Sequence, residues 1–308
     1  DYETLKLIWW LLVGVLLIGF TIMDGHDMGV GTLLPLLGKD DTERRVMINT
    51  IAPHWDGNQV WFITAGGAIF AAWPFVYATA FSGMYWALLL VLFALFFRPV
   101  GFEYRSKLPD PTWRKSWDWG IFAGSAVPAL VFGVAFGNLF LGVPFRLDDT
   151  MRSFYSGSFW ALLNPFALLF GVVSLTLITL QGATFLSHRT DGDLQARVKK
   201  TASLLAIVLM VAFSLGGFWV SRIDGYVIQS IGDVGGVLSP LMKEVGRAPG
   251  AWFANYDKMP ILWLIPALAY VGGVVVLLAL RAGWTLLAFI GSSLACVSVI
   301  LTAGVALF

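Results

Sequence analysis

The chain has 308 residues, of which 58% are hydrophobic and 13% are charged, and its 20 Lys and Arg nearly balance its 19 Asp and Glu. A soluble domain carries about 25% charged residues, so this chain has too little charge to cover a water-exposed surface. Its apolar, near-neutral composition excludes disorder, and its balanced charge argues against nucleic-acid binding. One cysteine, Cys296, excludes an internal disulfide or a thiolate cluster. The composition predicts a multi-span membrane protein.

Eight stretches are long and apolar enough to cross a ~30 Å hydrocarbon layer as helices. The predicted spans are 5–37, 46–75, 77–97, 118–142, 158–187, 200–222, 259–281 and 283–308. The last span reaches the final residue without a polar cap, so we expect the natural chain to continue beyond Phe308.

The order of the spans predicts an all-α fold of two tandem four-helix bundles. The charged segments after spans 1 and 5, Lys39–Thr50 and Arg189–Thr201, are similar and support an internal repeat, although any short inner loop could look like this. The expected domains are residues 1–142, which hold a polar cluster, and 143–308, which include a long outer loop at 223–258.

Basic residues predict the orientation, because they are enriched in cytoplasmic loops. The loops that follow spans 1, 3, 5 and 7 hold thirteen of the 20 Lys and Arg, whereas the opposite side holds seven. The N-terminus is therefore expected to face outward. In the long outer loop, the glycine-rich stretch Gly232–Gly236 has no strand before it, which argues against dinucleotide binding.

Ionisable residues inside predicted spans are costly and mark candidate functional sites. In span 1, Asp24 and Asp27 are three residues apart and share a helix face, with glycines nearby that permit close helix approach. Two interpretations remain open: these acids carry protons, or they only pair with a residue such as Arg98 and hold helices together.

A second polar cluster lies in span 2 and includes His54 and Asp56. Asp27 is about ten residues from the inner end of span 1, and Asp56 is about ten residues into span 2, which places both ~15 Å deep. We expect Asp56 to take up protons from the inside. His54 is expected to line a wet path or an interface, because the three histidines of the chain show no spacing suited to haem ligation.

Two further residues stand out. Arg98 ends span 3 and is expected either to extend to the inner interface or to pair with an acid on a neighbouring helix. Trp61 is too deep for an interfacial tryptophan, so we expect it to pack against protein.

Five runs across the chain resemble subunit II of the cytochrome bd ubiquinol oxidases: Asp24–Gly31, Thr42–Asn49, Ala52–Trp61, Ala65–Pro74 and Leu95–Phe102. Shorter runs such as Phe132–Asn138 and Gln181–Thr184 agree, so the resemblance covers the whole chain. One departure is His26, where the family carries a bulky apolar residue.

The resemblance implies a haem-free subunit of a quinol oxidase in the bacterial inner membrane. It implies two four-helix bundles with a ninth span, a larger homologous subunit I that carries haems b and d and oxidises quinol, and reduction of dioxygen to water with cytoplasmic protons. Small single-helix accessory subunits, membrane lipid and a structural ubiquinone belong to the same expectation. No catalytic or metal-ligating residue is expected in this chain.

The resemblance also implies roles for single residues: a proton path through Asp56 and oxygen entry near Trp61. From the residues themselves we add Asp24, Asp27 and His54 to the candidate proton path. A proton-coupled transporter and a purely structural partner remain alternatives. The polar cluster lies in spans 1 and 2 with no equally charged counterpart in spans 5 and 6, which favours an oxidase subunit over a symmetric transporter.

Overall fold

The computed structural model describes residues 2–230 and 243–308, so the stretch Gly232–Gly236 lies outside the described residues. The described chain is mostly helical. Its helices are α1 (Tyr2–Leu37), α2 (Asp41–Ile51), α3 (Trp55–Ala72), α4 (Pro74–Gly83), α5 (Tyr85–Leu95), α6 (Phe97–Tyr104), α7 (Pro111–Leu141), α8 (Pro165–Arg189), α9 (Gly192–Val220), α10 (Ala254–Lys258), α11 (Leu264–Ala282) and α12 (Thr285–Leu307).

Two small antiparallel hairpins accompany the helices. They are formed by β1 (Phe145–Leu147) with β2 (Ser153–Tyr155), and by β3 (Asp224–Ser230) with β4 (Glu244–Pro249). The second hairpin lies in the predicted long loop, which is therefore partly ordered as strands. Since β3 ends at Ser230, the expectation that no strand precedes the stretch Gly232–Gly236 is wrong.

Within the described ranges, 7 helical segments are long and apolar enough to cross a membrane, and 8 if the bent pair α3–α4 counts as one span. The prediction of a helical, multi-span membrane protein is thus confirmed. The fifth span begins later than predicted, at Pro165, because the residues Phe159–Leu163 before it form a short 3-10 helix.

The predicted continuous span 46–75 is wrong, because the structure divides it into α2 and α3. α2 is capped by the Asp40 side chain, which accepts a hydrogen bond from the Glu43 backbone, and the helix ends at Ile51. Pro53 then interrupts the helical hydrogen bonds, since proline lacks the N–H group. α3 is followed by a bend of 119° into α4 at Trp73, which precedes Pro74.

α8 is the central helix of the described chain, and it contacts α1, α7, α9 and α12. Its contact with α1 is backbone to backbone, because a Cβ added to Gly29 would lie 2.2 Å from the Ile178 carbonyl oxygen. Gly182, on α8, packs against the same backbone segment of α1 at Gly29. These glycines let two helices approach as small residues do in membrane bundles, and they fix the depth of the α1 polar residues against α8.

Ion pairs join the charged segments at one end of the helices. They link Arg44 and Arg105 to Asp118, Arg105 and Arg114 to Asp41, and Arg197 to Glu43. The segments that carry most of the Lys and Arg therefore lie at the same end of the molecule, as the orientation argument requires.

Candidate functional site

Asp24 on α1 and Arg98 on α6 form a buried ion pair. The Arg98 Nη2 and Nη1 atoms donate to the two Asp24 carboxylate oxygens at 2.6 and 3.2 Å. Arg98 is only 1% exposed, so the expectation that it extends to the membrane interface is wrong and the ion-pair interpretation holds. Pairing offsets the large cost of placing either charge in the membrane interior.

Asp27, one helical turn below Asp24, is fully buried and faces α3. Its Oδ2 accepts a hydrogen bond from the Asn58 Nδ2 atom at 2.8 Å, and Asn58 Nδ2 also lies 3.0 Å from His54 Nδ1. The start of α3 and Asp27 therefore lie at the same level, as the depth argument predicted.

Two histidines complete this polar cluster, which we call the Asp27 cluster: His26, Asp27, His54 and Asn58. His26 Nδ1 lies 3.0 Å from the Ile22 carbonyl oxygen, and His54 Nε2 lies 3.0 Å from the Thr50 carbonyl oxygen. Since a carbonyl can only accept, each of these ring nitrogens carries its hydrogen. The other two ring nitrogens then face Asp27 Oδ1, at 3.2 Å from His26 and 3.5 Å from His54.

The three inward atoms of His26, Asp27 and His54 lie within 4.8 Å of one another. At this spacing a single cation, whether a proton or a metal ion, would fit among them. His54 is 38% exposed and His26 only 5%, so the cluster opens to the outside of the chain through His54.

Asp56 lies in the first turn of α3 and is exposed in the isolated chain. Among the described residues its carboxylate has no ion-pair partner. The helix N-terminus favours a negative charge at this position. Asp56 is two residues from both His54 and Asn58, so it points to a different side of the helix from the residues that reach Asp27. Asp56 therefore lies on the same turn of α3 as the residues that reach Asp27, but its carboxylate is on the surface of the isolated chain and not in the Asp27 cluster.

Trp61 packs against α1, as expected for a tryptophan away from the interface. A Cβ added to Gly19 would lie 2.3 Å from the Trp61 ring, so the indole rests on the backbone of α1. The ring adjoins an aromatic cluster that includes Phe20 and Phe132.

Sequence reasoning missed the connecting role of Asn58 and the second buried polar group. Asn58 follows His54 by four residues, a spacing that places both on one face of a helix, so this signal was present. The second group joins α8 to α12, where Gln181 bonds to Ser292 at 2.6 Å and to Ser293 at 2.9 Å. No spacing in the sequence connects residues so far apart in the chain.

The chain is similar to known proteins over its whole length. The family model for cytochrome bd terminal oxidase subunit II matches residues 5–308. Cytochrome bd-I ubiquinol oxidase subunit 2 of Escherichia coli (strain K12) is 59% identical over 309 residues, which cover 100% of this chain and 82% of that protein. The probable cytochrome oxidase subunit 2 of Haemophilus influenzae is 56% identical over 308 residues, with the same coverage of both chains.

The fold is also found in a solved structure. The bd oxidase from Geobacillus thermodenitrificans has a chain that aligns with a TM-score of 0.66 and 12% identity, over 98% of this chain and 85% of that one. Since the family model and the Escherichia coli relative both extend over almost the whole chain, this protein belongs to the cytochrome bd terminal oxidase subunit II family and is a subunit of a bd-type quinol:oxygen oxidoreductase.

Proposed function

We propose that this chain delivers cytoplasmic protons for oxygen reduction at the haems of a larger partner subunit. The observation that carries the proposal is the Asp27 cluster: a fully buried carboxylate that connects through His54 to an exposed surface. A proton-transfer path needs ionisable groups within hydrogen-bond reach of one another. Family membership favours this role over a proton-coupled transporter.

The proposed path begins at Asp56, which presents an exposed carboxylate at the start of α3 on a different side of that helix from His54, so a proton passes from Asp56 to His54 through water at the surface of the chain. His54 receives the proton next, since its imidazole is partly exposed and its Nδ1 lies 3.5 Å from Asp27 Oδ1. Asn58 holds His54 and Asp27 in place but cannot carry a proton itself. Asp24 forms an ion pair with Arg98. Its role in the path is structural, because it holds this pair of charges beside Asp27.

The partner in this proposal is the larger subunit I, which binds haems b and d and oxidises quinol. The proposed contact surface includes the start of α3, which exposes Asp56 and His54, and α3 to α5 also expose large apolar side chains to the outside of the isolated chain, as the other membrane helices do elsewhere. These are Val60, Ile63, Phe70, Trp86 and Phe93. Oxygen entry near Trp61 belongs to the same proposal; Trp61 lies on α3, the helix that also exposes Val60 and Ile63, and its ring packs against α1.

The same proposal covers the location of the chain, its orientation, its division into bundles and the other components of the complex. The chain is placed in the bacterial inner membrane with a periplasmic N-terminus, as two tandem bundles at 1–142 and 143–308 with a ninth span beyond Phe308. Small accessory subunits and a structural ubiquinone complete the proposed complex. The ion-paired basic segments at one end support the orientation.

Replacing Asp56 by Asn tests the path directly, because an amide cannot take up and release a proton. In the assembled oxidase with full haem content, D56N should slow oxygen consumption by about tenfold or more. D193N is the matched control, since Asp193 is also exposed in the first turn of a helix, α9, but lies far along the chain from the cluster. Unchanged turnover in D56N would refute the path.

A further inference from the structure

The Asp27 cluster contains an unusual contact between two atoms that cannot bond without an added proton. His26 Nε2 and Asp27 Oδ1 are 3.2 Å apart, both are buried, and among the described residues neither has a hydrogen-bond partner. The hydrogen of His26 is on Nδ1, where it donates to Ile22. Nε2 therefore presents a lone pair to a carboxylate oxygen, which is repulsive unless a proton lies between them.

We infer that His26 and Asp27 hold one shared proton, which makes His26 an additional proton-holding residue of this chain. The inference deepens the proposed proton path and rests on it. The shared proton converts the repulsive contact into a charge-assisted hydrogen bond. It also removes the negative charge that an ionised Asp27 would place in the membrane interior.

The other charges near His26 and Asp27 are already paired, so one added proton makes the cluster neutral. On α1, Asp24 is neutralised by Arg98 from α6. On α3, His54 and Asn58 face Asp27.

The rings that α8 and α12 place against His26 are apolar. α8 contributes the Phe185 ring at 4.2 Å and α12 contributes the Phe289 ring at 6.1 Å. With Asp24 and Arg98 balanced, Asp27 carries the only uncompensated charge that the described residues place in the cluster, and one proton cancels it.

A divalent metal ion fits the same atoms less well than a proton. A metal bound by Asp27 and two neutral histidines would leave a net positive charge in a region of low dielectric. It would also have to displace Asn58, whose amide already donates to the lone pair of His54 Nδ1 at 3.0 Å. Charge and hydrogen bonding therefore favour the proton.

The position of His26 defines its role. His26 is 5% exposed, whereas His54, whose ring centroid lies 5.3 Å away beside the same Asp27 oxygen, is 38% exposed and forms the cluster's opening. A proton that enters through His54 and Asp27 can rest on the His26–Asp27 pair between turnovers. His26 therefore acts as a store at the inner end of the path and not as its entrance.

The test uses the complete oxidase and the variants His26→Phe and His26→Gln. Phe keeps a ring against Phe185 and Phe289, whereas Gln keeps a polar group, so at least one variant should assemble. The measurement is the pH-difference infrared spectrum of the cluster, with the Asp27 signal assigned by its loss in D27N. We expect both substitutions to weaken binding of this proton at least tenfold, seen as a shift of the titration midpoint by one pH unit or more.

Three outcomes distinguish a shared proton from a metal site and from an effect on the proposed path alone. An Asp27 signal that titrates identically with and without His26 would overturn the shared proton. Equilibration with zinc, followed by measurement of the metal content, tests the rival: one zinc per complex that is lost in H26F would overturn the proton in favour of a metal site. If D56N slows turnover while the H26F spectrum is unchanged, the proposed path stands and only the inference about His26 fails.

Discussion

Asp24 and Arg98 illustrate how a single buried pair decides the behaviour of the residues around it. The sequence predicted that Asp24 and Asp27 share a face, because that follows from their spacing on one helix. It left Arg98 with two interpretations, since the register of α6 against α1 depends on packing between helices 74 residues apart in the chain. The structure chooses the ion pair, and this leaves Asp27 as the acid that remains available for protons.

Replacing Arg98 by Met should strongly destabilise the subunit, because Asp24 would keep a buried charge without a partner. Breaking a buried pair from one side typically costs about 3–5 kcal/mol. The expected result is a marked loss of assembled, haem-containing oxidase, measured by its spectrum and its thermal unfolding.

The double variant R98M/D24N should recover much of this stability, because it removes both charges. R45M is the control, since Arg45 on α2 is also basic but is exposed. Equal stability of R98M and R45M would contradict the structural role of the pair.

At the scale of helices, hydropathy predicted which segments cross the membrane but not where they break. The signals were present: Pro53 separates α2 from α3, and Pro74 follows the bend at Trp73. An apolar window of about 20 residues averages over such breaks, so span 2 appeared continuous. The consequence for function is that Asp56 lies at an exposed helix start, whereas His54 and Asn58 reach the buried acid.

The contact between α1 and α8 yields a prediction that compares two glycines on one helix. A Cβ at Gly29 would collide with the backbone of Ile178 and Gly182, whereas a Cβ at Gly25 would meet its nearest neighbours at 3.8 and 4.0 Å. Gly29→Ala should therefore destabilise the complex, by about 1–3 kcal/mol for an overpacked contact.

Thermal unfolding of the purified oxidase measures this effect, with Gly25→Ala as the matched control. The control should unfold close to the native temperature. If G29A and G25A unfold at the same temperature, the close crossing of α1 and α8 is not present in the assembled protein.

At the scale of the whole molecule, the charged end is held together across the two halves of the chain. Arg197 on α9 lies 2.6 Å from Glu43 on α2 and, by hydrogen bonding to it, holds the pKa of the Glu43 carboxyl below its ordinary value. A carboxyl whose pKa is lowered by folding stabilises the folded state above its unfolded pKa of about 4.3. That contribution is lost as the pH falls through the lower folded value.

Glu43→Gln should therefore weaken the link between α2 and α9 at neutral pH but not in acid. The effect is expected to be at most about 1 kcal/mol, because both side chains are partly exposed to solvent. Unfolding temperature measured against pH tests this, with D193N as the control. A difference between E43Q and the native protein that persists unchanged below the folded pKa would show that the ion pair is not its cause.

Composition and the long apolar runs were sufficient to predict a helical membrane protein, and the motifs were sufficient to identify its family. The Asp27 cluster was predictable only in part. Its acids follow from hydropathy, but the hydrogen bonds that orient His26 and His54 depend on the backbone carbonyls of Ile22 and Thr50. Those bonds come from three-dimensional placement, which residue spacing alone does not give.

Proton uptake during a single turnover of the assembled oxidase tests the central claim most directly. In D56N, uptake from the cytoplasmic side should slow by about tenfold or more relative to native and D193N complexes, while reduction of the haems by quinol keeps its rate. Proton uptake at the native rate in a fully assembled D56N complex would contradict the proposal that this subunit delivers protons from Asp56 to the buried cluster at Asp27.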